Sequence, residues 1–462
     1  MVAAAPGICI AAPASGTGKT TIATGLIAAL ARRMEVAPFK IGPDYIDPGY
    51  HTMAAGRPGR NLDSVMCGAD TMGPLYAHGC AGCDIAVVEG VMGLFDGRIT
   101  EGADPVCAPG STAEIAKQLG LPVILVVDVR GMSQSAGAMV RGFATAVAGV
   151  RVAGVIINKA GTDRHEAVCR KSIEAAGIEV VGSIGRMDSI AVPSRHLGLV
   201  TAAEHGDAAA AAVQHMADLV EQHVDIDRII QLAATTCDGP AWDPAAQVES
   251  QGPCTVALAG GDAFTFAYAE HTELLTAAGA SVAVFDPLHD DFPDCDGLII
   301  PGGFPEEHAA DLAARDDLRH AIRKFIADGA PVHGECAGLL WLLECLDGHP
   351  MLGVIPTTGQ MGSRLSLGYR EAVALEDSVL YRTGERVVGH EFHHTCLSSP
   401  VADGFSPAWG WRGWDGAPVR EGFVSPLVHA SYLHCHPAAT GTAIERFVAA
   451  AHRAGRGQPV AG

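Results

Sequence analysis

The sequence predicts an α/β protein of two domains, the first a doubly wound parallel sheet and the second a further α/β unit. Three observations carry this. Apolar runs of strand length, at 8–11, 36–39, 85–89, 123–127 and 152–157, alternate with segments of helical period such as 111–119 and 166–176, as strands joined by crossover helices do. The first of these runs empties into a glycine turn that opens a helix. At 235–253 (TTCDGPAWDPAAQVESQGP) the periodicity stops and Gly, Pro and polar residues gather, which is a linker composition. A second alternation follows, with runs at 255–259, 281–285 and 297–301. The expected division is residues 1–235, a linker at 236–253, and 254–462.

Composition bounds the function classes. With 462 residues, each domain can bury a proper core. The net charge of −21, from 31 basic against 52 acidic residues, argues against a nucleic-acid partner and against an anionic membrane surface. An anionic small substrate needs only a local basic pocket. The N-terminal apolar run has no basic region before it, and others such as 122–129 are too short to span a bilayer. Cytoplasmic residence is therefore expected. Thirteen scattered cysteines form no disulfide framework. Cys80-x-x-Cys83 has metal spacing but no second pair, and reads as a loop before the strand at 85–89.

The element that organises the first domain is ICIAAPASGTGKTT, residues 8–21. Strand, glycine turn and helix in that order make a phosphate cradle. Ser15, Gly16, Thr17, Gly18, Lys19, Thr20 and Thr21 line it. Backbone N–H groups face one anion, Lys19 neutralises the outer phosphates, and the Thr20 hydroxyl is placed for Mg²⁺. Pro13 stands where the usual motif has its first glycine.

The second strand leads into KIGPDYIDPGYH, residues 40–51, whose two prolines and two glycines predict a shaped loop without regular helix. Asp44 is a candidate Mg²⁺ ligand. Lys40 could face a phosphate or a substrate carboxylate, and Tyr45, Asp47, Arg57 and Arg60 join it as candidate substrate-binding residues. The strand at 85–89 ends on Glu89 and continues as GVMGLFDG. An acid at the carboxyl end of a central parallel strand sits beside the phosphate loop, so Glu89 is a second metal candidate. Asp96 is the third acid expected to converge there. Asn158, at the end of the 152–157 run, is a candidate contact to a nucleotide base. The basic pair Arg195 and His196 has no chemical assignment.

In the second domain, LIIPGGFPEEH (298–308) is a strand followed by a two-glycine turn whose N–H groups could face an oxyanion. HGECAGLLWL (333–342) places Cys336 between small residues at a strand-to-helix corner, an arrangement that exposes a nucleophile and favours its thiolate. The partner should be a late histidine. In LVHASYLHCHP (427–437) a strand would deliver His434. His436 stands two residues on, where an orienting acid is often found, so the third member of the triad is open. His390 and His393, in GHEFHH (389–394), read as lining a substrate at a strand end, or equally as buried structural histidines.

Across APASGTGKTT, FKIGPDYIDPGYH, VVEGVMGLFDG, PGGFPEEH, HGECAGLLWL, GHEFHH and ASYLHCH, in that order, the chain resembles the cobyrinic or hydrogenobyrinic acid a,c-diamide synthases of corrinoid biosynthesis over nearly its whole length. The resemblance implies a P-loop synthetase domain related to dethiobiotin synthetase, followed by a class I glutamine amidotransferase domain. It implies Cys336 as nucleophile, His434 as base, and Gly303 and Ala337 as oxyanion donors. Lys19, Thr20, Asp44 and Glu89 would hold ATP and Mg²⁺, with Asp96 in the phosphorylation and amidation site. The implied reaction is amidation of the a and c acetates through acyl phosphates, with glutamine and a corrinoid polycarboxylate as small-molecule substrates. A homodimer is the assembly this leaves open. Alternatives are the sister amidases (cobyric acid synthase, or the enzyme acting on nickel sirohydrochlorin), a P-loop partitioning ATPase with an inactive second domain, and a glutaminase regulated by its P-loop domain.

Overall fold

The computed structural model describes residues 4–460 apart from 101, 103, 105, 187–193, 196, 197, 200 and 201. His196 thus lies outside the described residues. The chain forms two compact units, Met1–Trp242 and Asp243–Gly462.

The first unit is organised by a seven-stranded sheet, β1 (Gly7–Ala11), β2 (Val36–Ile41), β3 (Arg60–Leu62), β4 (Ile85–Glu89), β5 (Val123–Asp128), β6 (Val152–Ala160) and β7 (Val180–Gly185). The order is β3-β2-β4-β1-β5-β6-β7, and every neighbouring pair is parallel. Strands covered on both faces read as near-continuous apolar runs, and β1, β2 and β4 are buried at every position, with Lys40 and Glu89 the charged residues at the carboxyl ends of β2 and β4. Register pairs Ile10 with Glu89 and Glu89 with Lys40. The carboxyl ends of β1, β4 and β2 therefore set the phosphate loop, an acid and a lysine side by side. Helix α1 (Lys19–Ala31) springs from Gly18, which has φ 101°. It packs on the helix Ala202–His223 at Gly25, where a Cβ would lie 2.4 Å from the Met216 carbonyl oxygen.

Helix α2 (Asp47–Ala55) corrects the expectation of an irregular 40–51 loop. Pro48 sits in its first turn, where the missing N–H has no partner to lose. Only 42–46 remains a loop, held by Asn61, whose Nδ2 donates to the Gly42 and Asp44 carbonyls at 2.8 and 2.7 Å. The segment read as a linker is also more ordered than its composition suggests. Trp242 is buried and edge-on to His78, and Pro244–Gln247 is a short helix.

After the two-residue strands β8 (Ser194–Arg195) and β9 (Gly198–Leu199), the second unit begins with β10 (Cys254–Ala259), β11 (Ala280–Phe285), β12 (Gly297–Ile300) and β13 (Val332–Glu335). These form a mainly parallel sheet, ordered β11-β10-β12-β13-β21-β20, with β20 (Phe423–Val424) and β21 (Val428–Ser431). A second six-stranded sheet comprises β14 (Leu343–Leu346), β15 (His349–Pro350), β16 (Ile355–Ala374), β17 (Arg386–Leu397), β18 (Trp409–Arg412) and β19 (Pro418–Glu421). Among the described residues no helix is long and apolar enough to cross a membrane.

Candidate active sites

In the first unit, the turn before α1 is closed from both sides. The Thr17 hydroxyl donates to the Ala14 carbonyl at 3.1 Å, and the Asn158 side-chain amide donates to the Thr17 carbonyl at 2.8 Å. A Cβ at Gly18 would stand 2.5 Å from that amide nitrogen, so glycine is required there for packing as well as for its φ. Asn158 thus braces the loop through one N–H of its amide. Its neighbour Lys159 has φ 60°. Its ammonium donates to the Gly16 carbonyl at 3.2 Å and to Asp128 at 3.1 Å. Ser15 and Gly16 are exposed, and Thr21 lies in the first turn of α1.

Lys19 Nζ donates to the Met92 carbonyl at 2.6 Å. Burial and the Lys40 charge hold its pKa below the ordinary lysine value. Met92 has φ 47°, in the left-handed region that a non-glycine residue enters at a cost. Asp96 accepts the Gly93 N–H at 2.9 Å and so ties the VMGLFDG turn.

Behind the turn lies a cluster of oxygens. The Thr20 hydroxyl donates to Glu89 Oε1 at 2.7 Å and to Asp47 Oδ2 at 3.2 Å. Lys40, 3% exposed, donates to Asp47 at 2.6 Å, to Glu89 at 3.0 Å and to the Gly90 carbonyl at 3.3 Å; Asp44 Oδ2 is 3.7 Å away. All three ammonium protons have acceptors within the cluster. Asp47 likewise belongs to this cluster. Asp44 Oδ1 accepts the N–H groups of Ile46 and Asp47, each at 3.0 Å, so one of its oxygens shapes the loop. His51, in the noted loop but given no role, places Nε2 2.8 Å from Glu89 Oε2 with both side chains fully buried.

Burial pushes Glu89 up, but Lys40, His51 and the Thr20 hydroxyl outweigh it and hold the carboxyl below the usual range. Burial and the nearby Asp44 charge push Asp47 up, against the pull of Lys40. For Lys40, burial is outweighed by Asp47, Glu89 and Asp44, which keep it charged. Tyr45 is buried. Arg57 is taken up by the 81–83 loop, donating to Cys83 Sγ and, at 3.1 Å, to the Ala81 carbonyl. The stem of Arg60 passes Gly79, where a Cβ would lie 3.0 Å from its Cδ.

In the second unit, β13 runs straight into Cys336, which has φ 52° and ψ −98° before the helix Ala337–Leu342. The Cys336 N–H donates to the Ser431 carbonyl at 2.7 Å. Small neighbours are needed for this corner to fit: a Cβ at Gly338 would lie 2.0 Å from the Ile300 carbonyl oxygen. Gly303 is equally tight, with 2.1 Å to the Ala263 carbonyl oxygen. Ala337 is the first residue of the helix.

His434 is not delivered by a strand. β21 ends at Ser431, and His434 is held three residues beyond by a two-way backbone bridge to His390, both bonds 2.9 Å. Gly389 and Gly302 clear its space: Cβ atoms there would lie 2.7 Å from the His434 carbonyl oxygen and 2.6 Å from its Cε1. The imidazole Nδ1 is 2.8 Å from Glu335 Oε1. Burial lowers the His434 pKa, but facing charge on Cys336 and Glu335 raises it to about 10. Glu335 was within a noted motif but was not singled out; an acid directly before the nucleophile was the available signal. His390 is held down to about 3 by burial, then by His434 and Arg370. The His393 ring stacks on Tyr432 at 3.7 Å, and its Nδ1 is 2.9 Å from the Thr395 carbonyl oxygen. Both histidines lie within the long strand β17 and not at a strand end.

Comparison with known proteins covers both units. Residues 8–200 match the CobQ/CobB/MinD/ParA nucleotide binding domain family, and residues 255–441 match the CobB/CobQ-like glutamine amidotransferase domain family. The chain is 55% identical over 447 residues to hydrogenobyrinate a,c-diamide synthase of Mycobacterium tuberculosis (strain ATCC 25618 / H37Rv), covering 96% of this chain and 97% of that one. The Streptomyces coelicolor enzyme of the same name is 49% identical over 483 residues, again 96% and 97%. The cobyrinate a,c-diamide synthase of Gloeobacter violaceus is 40% identical over 450 residues, 96% of each chain. The chain belongs to the cobyrinate and hydrogenobyrinate a,c-diamide synthase family, with an N-terminal nucleotide-binding domain and a C-terminal glutamine amidotransferase domain.

Proposed function

We propose that the chain amidates the a and c acetate carboxylates of hydrogenobyrinate, using ATP and glutamine. The observation that carries this is the match along 96% of the chain to hydrogenobyrinate a,c-diamide synthases at 55% and 49% identity. Cobyrinate is the second reading, favoured by the 40% match to a synthase named for that substrate.

A carboxylate does not exchange oxygen for nitrogen directly, because its oxygen is a poor leaving group. Transfer of the γ-phosphoryl group to it gives an acyl phosphate and ADP; ammonia then attacks the carbonyl carbon and phosphate departs. The turn around Thr17 and Gly18 would cradle the phosphates, and Lys19 would leave the Met92 carbonyl for them. The Thr20 hydroxyl and the Glu89 and Asp47 carboxylates form an all-oxygen donor set, the kind that Mg²⁺ prefers. With Asp44 Oδ2, which faces Lys40 Nζ at 3.7 Å, they would hold that ion, which when bound would neutralise charge on the phosphates. Lys40 and His51 fix Glu89 for this task, and Asp96 holds the turn that carries Met92.

Ammonia at neutral pH is mostly ammonium, so it is best released from glutamine on the same chain. Cys336 would attack the amide carbon, forming a thioester; His434 would take the thiol proton and deliver it to the departing NH₃. Water then cleaves the thioester to glutamate. Gly303 and Ala337 would supply N–H groups to the oxyanion.

The test is Cys336→Ala assayed with glutamine and with ammonium chloride, each with MgATP and the macrocycle. Amidation supported by ammonia but not by glutamine is expected. Undiminished glutamine-dependent amidation would refute the assignment of Cys336.

A further inference from the structure

We propose that Glu335, the residue immediately before the nucleophile, is the positioning carboxylate for His434, in place of His436. The inference rests on the reading of Cys336 and His434 as the glutaminase pair. Amidotransferases of the general Cys-His-acid plan take the acid from just beyond the histidine. Here that position is His436, and the structure gives it a different task. His436 Nδ1 accepts the Ala438 N–H at 3.3 Å, capping the turn Pro437–Ala439. Its ring packs on Tyr268 with centroids 4.4 Å apart. It is a completely buried cap.

Glu335 meets the requirements that His436 does not. Its Oε1 lies 2.8 Å from His434 Nδ1, and its Oε2 accepts the Cys435 N–H at 3.3 Å. The carboxylate thus grips the histidine segment at two successive residues. Glu335 ends β13, whose register sets it opposite Ser431, and the nucleophile follows it directly at the corner into the helix. Glu335 is 8% exposed and His434 is fully buried, which keeps water from competing. An ionised carboxylate can only accept, so Nδ1 must carry the proton and Nε2 is left as the base. Around the pair stand His271, His333, Tyr381, Cys435 and His390, with Glu421 facing Cys435. Burial keeps the three histidines neutral at physiological pH, so none supplies a competing cation to Glu335.

Glu335→Gln tests this sharply. One amide cannot serve both contacts: whichever way it is turned, its NH₂ meets either the Cys435 N–H or the protonated Nδ1. The second arrangement forces the other imidazole tautomer, with Nε2–H facing the thiol. Glutamine hydrolysis should lose roughly 10²–10⁴ in kcat with KM for glutamine changed only a few-fold, and the inflection in the rate of Cys336 alkylation by iodoacetamide should move by about a pH unit or more. An unchanged near-ultraviolet circular dichroism spectrum and the little-changed KM for glutamine report that the second unit is folded. Hydrolysis within threefold of wild type and an unmoved alkylation profile would overturn the proposal. His436→Gln gives a second measurement that does not depend on how Glu335→Gln folds. It should retain at least a third of the hydrolysis, whereas a loss as deep as 10²-fold would hand the orienting role to His436 and overturn the proposal. Failure of wild-type hydrolysis to exceed that of Cys336→Ala would instead refute the glutaminase reading itself.

Discussion

Lys40→Met removes a buried cation enclosed by the phosphate-site acids. In the structure the ammonium bonds Asp47 at 2.6 Å, Glu89 at 3.0 Å and the Gly90 carbonyl at 3.3 Å, with Asp44 at 3.7 Å. Breaking a buried pair from one side costs about 3–5 kcal/mol, because the partner charge is left without compensation. The lower end applies here, since Asp47 already holds a raised pKa and can take up a proton once Lys40 is gone. A loss of about 3 kcal/mol corresponds to a fall of roughly 6–12 °C in the melting transition of a unit of this size. Thermal unfolding followed by circular dichroism without nucleotide measures it. Adding Glu89→Gln to Lys40→Met should recover part of the loss, because the orphaned negative charge is then absent. A Lys40 that served only to bind substrate would leave the melting curve unchanged and raise KM alone. A shift smaller than about 2 °C would refute the buried-cluster argument.

Two further predictions follow from the second unit. Burial pushes Glu421 from 4.5 up to about 8, outweighing the Ser431 hydroxyl and Tyr432 N–H that it accepts at 2.6 and 2.8 Å. The folded state therefore holds a proton that the unfolded state releases above pH 4.5, and the associated stability, complete below that pH, is lost as pH rises toward 8. Wild type should lose melting temperature between pH 5 and pH 8 relative to Glu421→Gln, which mimics the protonated acid; parallel curves would contradict the assignment. Gly302→Ala would place a methyl 2.6 Å from His434 Cε1. It should cut glutamine-dependent turnover by about 10²-fold through displacement of the base while ammonia-supported turnover persists; equal loss of both would point to general misfolding.

The alternation of strand-length and helical runs was enough to read the central strands of the first sheet, because strands buried on two faces leave uninterrupted apolar stretches; the edge strands β3 and β7 carry no such run and were missed. The phosphate loop, Glu89 and Cys336 were legible for a related reason: each lies at the carboxyl end of such a strand, and the topology dictates what stands there. The second sheet of the amidotransferase unit was not. In β16, a 20-residue strand, buried and exposed positions alternate irregularly and polar residues interrupt the apolar ones, so the sequence lacks the period that marks a strand. Helix α2 was missed because Pro48 and Gly49 read as breakers, although a first-turn proline is harmless. Side-chain direction was the larger gap. Spacing put Lys40 and Asn158 beside a phosphate site, but only the tertiary structure reveals that one neutralises acids and the other braces a carbonyl. The same limit hid Glu335, whose partner is 99 residues away in sequence.

Mass spectrometry of hydrogenobyrinic and cobyrinic acids after incubation with the protein, MgATP and glutamine shows whether the chain forms a diamide and on which macrocycle. Exchange of two hydroxyls for amino groups lowers the mass by about two units, and this loss is expected on hydrogenobyrinic acid. No mass change on either macrocycle, with ATP and glutamine in excess, would contradict the account.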